Sequence, residues 1–210
     1  MRGLGRDFNF LLIARAVSII GDQATLIALV FKVKEHGSWA TATLFGGTSI
    51  AMILSSSWVG KLIDRESAKK VMVITSLLQS LVCLALVFSN LFSALALNIL
   101  LGLGQAIVIS ATGAWTPSLV EKESLGKAFG QMQVALSIAA LTGYGVGGLL
   151  VGKVGINAAF ILDAISFLLL IPMLLIMKQD RVGNPDVNKE GKMKGGFRIV
   201  WHNSGLRSIT

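Results

Sequence analysis

The chain has 210 residues, of which 53% are hydrophobic and 14% charged, with a formal net charge of +8. An average soluble domain is roughly 25% charged, so a soluble globule of this length is excluded for want of polar surface. The positive charge falls between long apolar runs, which assigns it to membrane topology and anionic lipid rather than to nucleic acid.

A helix needs about 20 mostly apolar residues to cross a ~30 Å hydrocarbon core. Six such runs are predicted in chain order, at 8–31, 40–63, 71–89, 92–114, 129–151 and 158–177. The connectors, 32–39, 64–70, 89–91, 116–127 and 152–157, are short and polar. They predict sequential helices that are antiparallel neighbours. The first run follows Arg2 and Arg6 but is too long for a signal-peptide core, and Arg15 and Asp22 interrupt it. With the N-terminus in the cytoplasm, the inner segments hold fifteen Lys and Arg residues and the outer ones three, Lys32, Lys34 and Lys153. That bias predicts two cytoplasmic ends. Residues 1–177 thus form a six-helix domain. Residues 178–210, polar and basic with Pro185, read as a cytoplasmic loop or tail. The 197–201 stretch, with Arg198, is a weaker candidate for touching the membrane surface.

Polar residues at membrane depth carry the functional signal. In the first run Arg15 and Asp22 are seven apart, on one helix face with Ser18 and Thr25. A charge there costs several kcal/mol on the lower estimates, roughly 2.5–3.5, so the stripe faces protein or water. Asp22 is either a proton- or cation-sensitive carboxylate in a cavity wall or a bond to a neighbouring helix. For Arg15 the expectation is snorkelling to the inner surface. In the second run Ser49, Ser56 and Gly60 form a small face. In the third, Cys83, the single cysteine, reads as a small hydrophobe. In the fourth, Asn98, Gly102, Gln105 and Thr112 form a polar or small stripe, suited to a cavity or to interhelical hydrogen bonds. The fifth holds Gly143, Gly145, Gly147, Gly148 and Gly152, whose four-residue spacings predict close helix packing. Asp163 in the sixth lies at the depth of Asp22 by residue counting. It is a relay partner if the faces meet, and otherwise a helix–helix hydrogen bond.

No cofactor, metal or enzymatic chemistry is expected. His36 and His202 fall on opposite sides of the membrane, far from any zinc or Ser-His-Asp arrangement. No Gly-x-x-x-x-Gly-Lys-Ser/Thr loop is present.

From Gly60 the chain reads Gly-Lys-Leu-Ile-Asp-Arg-Glu-Ser-Ala-Lys-Lys. This resembles the major facilitator superfamily signature between helices two and three, Gly-x-Leu-Ala-Asp-Arg-x-Gly-Arg-Lys. Gly60, Leu62, Asp64, Arg65 and Lys69 match, followed by Lys70; Ser67 and Ala68 depart. Gly21-Asp22 after Ser18, the run from Asp163 to Phe167, and Trp115-Thr116-Pro117 resemble segments of macrolide-efflux-type and enterobactin-exporter-type members. The likeness covers about 8–177. Tyr144 stands where drug antiporters have a proline in a Gly-Pro-x-x-Gly-Gly motif, here built on Gly143, Gly147 and Gly148. Asn98 stands where many relatives carry an arginine linked to proton transfer.

The resemblance implies an all-α polytopic fold of twelve helices, of which this chain supplies a six-helix half built from 3+3 inverted repeats. It implies proton-coupled efflux of amphiphilic small molecules, such as drugs, macrolides or siderophore-like compounds, by alternating access. Arg15, Asp22, Asn98, Gln105 and Asp163 would line the substrate and ion pathway, and Gly60, Asp64, Arg65, Lys69 and Lys70 would form a cytoplasmic gate. The expected partners are the lipid bilayer, the substrate, protons, and a second half supplied by another chain or by a homodimer. The alternative is a non-transporting six-helix membrane protein.

Overall fold

The computed structural model describes residues 4–181. It contains six long helices and, among the described residues, no strand. They are α1 (Arg6–Val33), α2 (Ser38–Arg65), α3 (Ala68–Val87), α4 (Leu91–Leu119), α5 (Leu125–Lys153) and α6 (Ile156–Ile176). Single 3₁₀ turns, Lys34–His36 and Lys122–Ser124, precede α2 and α5. All six helices are long and apolar enough to cross a membrane.

The helices match the predicted spans and overrun most of them by two to five residues at an end, because hydropathy marks the hydrocarbon core while the backbone ladder continues past it. The overrun is largest at the fourth connector. Predicted as 116–127, it is helical through Leu119, past Pro117, and helical again from Leu125. Pro117 removes one backbone donor, and the Thr116 hydroxyl donates to the Thr112 carbonyl (2.8 Å) in the same turn. Helix starts are marked by chemistry visible in the sequence. Asn90 and Ser93 form a capping box on α4, and Ser67 caps α3. Gly37 and Gly155 precede α2 and α6 at φ +90° and +112°, a region that excludes most side chains.

The packing differs from the expectation of sequential neighbours. α1 packs on α5 and α6, α4 packs on α2 and α3, and α3 packs on α6, whereas α1 and α2 barely touch and α2 and α3 make no extensive contact. Only α3 and α4 are both consecutive and closely packed. A short loop sets the direction of the next helix but not its partner. Exchanging α1 with α4, α2 with α5 and α3 with α6 maps α1–α5 onto α2–α4, α1–α6 onto α3–α4 and α3–α6 onto itself, which is the pattern of two inverted three-helix repeats.

Small residues choose the partners. A Cβ added at Gly143 or Gly147 of α5 would lie 2.7 Å from backbone atoms of Ile20 or Ala24 on α1. One at Gly102 of α4 would lie 2.6 Å from Thr48 of α2, and one at Gly104 would lie 2.7 Å from Gln79 of α3. Gly21 of α1 packs directly on Asp163 and Ser166 of α6. By contrast, Gly60, Gly145, Gly148 and Gly152 have nothing within 4 Å, and Ser49 and Ser56 are exposed. The close packing expected at Gly148 and Gly152, and along the small face of α2, is therefore not made within the described residues. Those faces point outward because one helix side cannot meet α1 or α4 and face away from it as well.

Two apolar clusters fill the bundle. One surrounds Phe8, Met72, Trp115 and Leu174, and the other Leu29, Leu44, Leu86 and Phe160. Between them lies a polar layer containing Arg15, Ser18, Gln79, Asn98 and Asp163. Outside, apolar side chains such as Leu54, Leu78, Leu141 and Leu169 are exposed, as a lipid-facing surface requires.

Candidate functional site: a polar cavity between α1, α2, α4 and α6

The polar layer opens into a cavity of about 320 Å³. α1 contributes Asp22, Gln23 and Thr25, α2 Thr48 and Met52, α4 Asn98, Gly102 and Gln105, and α6 Asp163. Ile19, Leu26, Leu29, Leu101 and Ile109 complete an otherwise apolar wall. Four of the five predicted pathway residues thus converge, and Asp22 and Asp163 share one cavity.

Each polar residue has a distinct setting. Asp22 is half-buried and accepts a hydrogen bond from the Gln105 amide, which joins α1 to α4. Asn98 donates to the Leu44 carbonyl (2.8 Å) and to the Thr48 hydroxyl (2.6 Å), so it ties α4 to α2 while facing the cavity. Asp163 is fully buried behind the wall, beside Cys83 of α3 and Ser166. Thr112, at the end of the α4 stripe, bonds back to the Val108 carbonyl (2.7 Å) and is not part of the lining.

Arg15 departs from the snorkelling expectation. Its side chain is only 2% exposed, in the interior two turns from Asp22, and its charge acts on that carboxylate. It lies outside the cavity lining. An arginine near a helix start can snorkel only if its face meets lipid or water, and this face meets the bundle.

A second cluster forms where α1 begins and α6 ends. Asp64 pairs with Arg181 (3.4 Å), whose guanidinium also donates to the Ile63 carbonyl (3.0 Å). Lys69 donates from its amine to the Met177 carbonyl (2.6 Å) and from its backbone N–H to Asp180 (3.1 Å). The Ser67 hydroxyl also bonds Asp180. Lys70 pairs with Glu66 (2.9 Å), Arg65 is exposed, and Gly60 lies one turn before Asp64. Across the cluster Asp7 accepts the backbone N–H groups of Lys178 and Gln179 at 2.7 and 2.8 Å. The first residues after α6 are therefore docked on α1 and the α2–α3 loop. Asp7 and Asp180 went unnoticed in the sequence, and Arg181 counted only as one of the inner basic residues, because no periodicity or apolar contrast marks them. The 197–201 stretch, Arg198 and His202 lie outside the described residues. Among those described, no group of three or more His, Cys, Asp or Glu could hold a metal ion.

Six membrane-length helices in two inverted triplets, with a polar cavity lined by α1, α2, α4 and α6, define half of a secondary-transporter fold. The chain belongs to the Major Facilitator Superfamily, whose family model matches residues 11–209. It is accordingly a multi-pass membrane protein. It is 27% identical over 215 residues to the lysophospholipid transporter LplT of Pectobacterium carotovorum, covering 97% of this chain and 51% of that protein. To the LplT of Photorhabdus laumondii it is 28% identical, with 97% and 52% covered. To macrolide efflux protein A of Streptococcus pyogenes it is 26% identical over 209 residues, with 93% and 51% covered. The chain spans about half the length of these curated relatives.

Proposed function

We propose that this chain forms one wall of the pathway of a proton-coupled exporter of amphiphilic small molecules that works by alternating access. The observation that carries the reading is the cavity itself, in which Asp22 and Gln105 are set among the apolar side chains of Ile19, Leu26, Met52 and Ile109. A cationic head group fits the carboxylate, and an apolar body fits the wall. Lysophospholipid and macrolide, the substrates in the relatives' names, both fall within an amphiphile reading.

A second six-helix half, from another chain or a second copy, would cover the outward faces of α2 and α5 that carry Gly60 and Gly148. The Lys- and Arg-rich side, with the Asp64 cluster, is placed in the cytoplasm. There Asp64, Arg65, Lys69 and Lys70 would act as the gate, with Arg181 holding Asp64.

The test is accumulation of a fluorescent cationic amphiphile in cells expressing the protein, with membrane insertion verified. Lower accumulation that is abolished by Asp22→Asn supports the reading. Accumulation equal to that of empty cells overturns it for this substrate class and favours a non-transporting six-helix protein.

A further inference from the structure

Asp22 and Asp163 share a cavity but not an environment. Asp22 faces the open space, receives an amide and lies in the field of Arg15. Asp163 is 0% exposed at the junction of α1, α3 and α6. One of its carboxyl oxygens is 3.3 Å from the Cys83 sulfur, and the other is 3.2 Å from the Ser166 hydroxyl. Ser166 also bonds the Asp163 carbonyl (2.8 Å), and Ser80 of α3 bonds the next carbonyl, that of Ala164 (3.1 Å).

The titratable groups facing Asp163 are Asp22 from α1 and Cys83 from α3. None of the ion pairs among the described residues includes it. Lys32, toward the far end of α1, is bound to the Leu86 carbonyl (3.3 Å) and lies over the Phe160 ring. Asp163 therefore has neutral donors and a second carboxyl around it, but no cation.

A buried anion in that setting is neutralised either by a metal cation or by a proton. A metal cation fits poorly. A thiol is a soft ligand, mismatched to sodium, magnesium or calcium, which favour several oxygens. The packing is also closed, since a Cβ at Gly21 would lie 3.0 Å from the Asp163 Cα and 2.5 Å from the Ser166 hydroxyl. A proton needs no such space. A second observation supplies its route. The Thr25 hydroxyl, one turn beyond Gly21 on the same face of α1, is buried, lines the cavity and lies against both the Asp163 carboxyl and the Cys83 sulfur.

We propose that Asp163 is the proton-holding site of this half. A proton from cavity water passes the Thr25 hydroxyl onto an Asp163 carboxyl oxygen and leaves by the same route when α1 and α6 part at Gly21. Its coupling role rests on the transporter reading above; the site itself does not.

The test is infrared difference spectroscopy of the full-length protein in liposomes at neutral pH, alongside transport driven by a pH gradient. A protonated-carboxyl C=O band is expected in the wild type. Asp163→Asn should remove it, Asp22→Asn should leave it, and Cys83→Ala, which keeps the carboxyl and the fold, should shift its frequency. Gradient-driven transport should be lost in Asp163→Asn while exchange of substrate down its own gradient persists. A band unchanged by Asp163→Asn and Cys83→Ala, or lost in Asp22→Asn instead, overturns the proposal. So does a band that appears only when sodium is withdrawn. If the band behaves as expected but the wild type moves no substrate, the transporter reading fails and the proton site stands.

Discussion

Asp22 reaches its cavity through one neighbour, the Gln105 amide. Removing that donor leaves the carboxylate where a substrate cation would meet it, but without its orienting bond. A hydrogen bond to a charged group contributes ~1.5–3 kcal/mol. Gln105→Leu is therefore expected to weaken apparent affinity for a cationic amphiphile roughly tenfold or more, read as a KM increase in a dye-efflux assay with expression unchanged. Asn98 behaves differently although it lines the same space. Its amide holds the Leu44 carbonyl and the Thr48 hydroxyl of α2. Asn98→Leu should thus lower stability by ~1–3 kcal/mol, seen as a drop in detergent Tm, before any effect on substrate preference. The residue types were legible from the α1 and α4 stripes; the split between a ligand-facing and a helix-tying amide was not. Both look the same at four- and seven-residue spacing, and the difference lies in what α2 places opposite.

At the scale of elements, glycines with the same local pattern have opposite fates. Gly147 rests on the Ala24 backbone, and Gly148, the next residue, faces open space. Consecutive helical residues are about 100° apart, so only one of two adjacent glycines can meet α1. Gly147→Leu is expected to force α1 and α5 apart, at a cost of ~1–3 kcal/mol or more by overpacking, and to lower Tm or yield. Gly148→Leu should leave Tm within error in the isolated half. An equal loss from both substitutions would contradict the α1–α5 register. The sequence marked α5 as a packing helix but could not say which glycines pack, because its hydropathy is nearly uniform around the axis.

For the whole molecule, the docking of residues 177–181 on α1 and the α2–α3 loop makes the Lys- and Arg-rich end one unit. Asp64→Ala removes the Arg181 partner in the last turn of α2, where the side chain is exposed. It should impair efflux while insertion and Tm hold; retained efflux would count against the gate. Topology has its own check. Cys83 is fully buried and gives no background to a membrane-impermeant thiol reagent. Lys34→Cys should label from outside intact cells and Lys122→Cys only after permeabilisation; the reverse pattern would invert the orientation.

The number, order and approximate limits of the spans, the side that holds most Lys and Arg, and the Gly60 to Lys70 signature were all determined by the sequence itself. Hydropathy and charge act through the bilayer, which each segment meets on its own. Helix partners were decided only by the tertiary structure. So were the burial of Arg15, the shared cavity of Asp22 and Asp163, and the capture of Asp64 by Arg181. These depend on which face of one helix meets another far along the chain, and short loops leave that choice to the fit of Gly21, Gly102, Gly104, Gly143 and Gly147 against their neighbours.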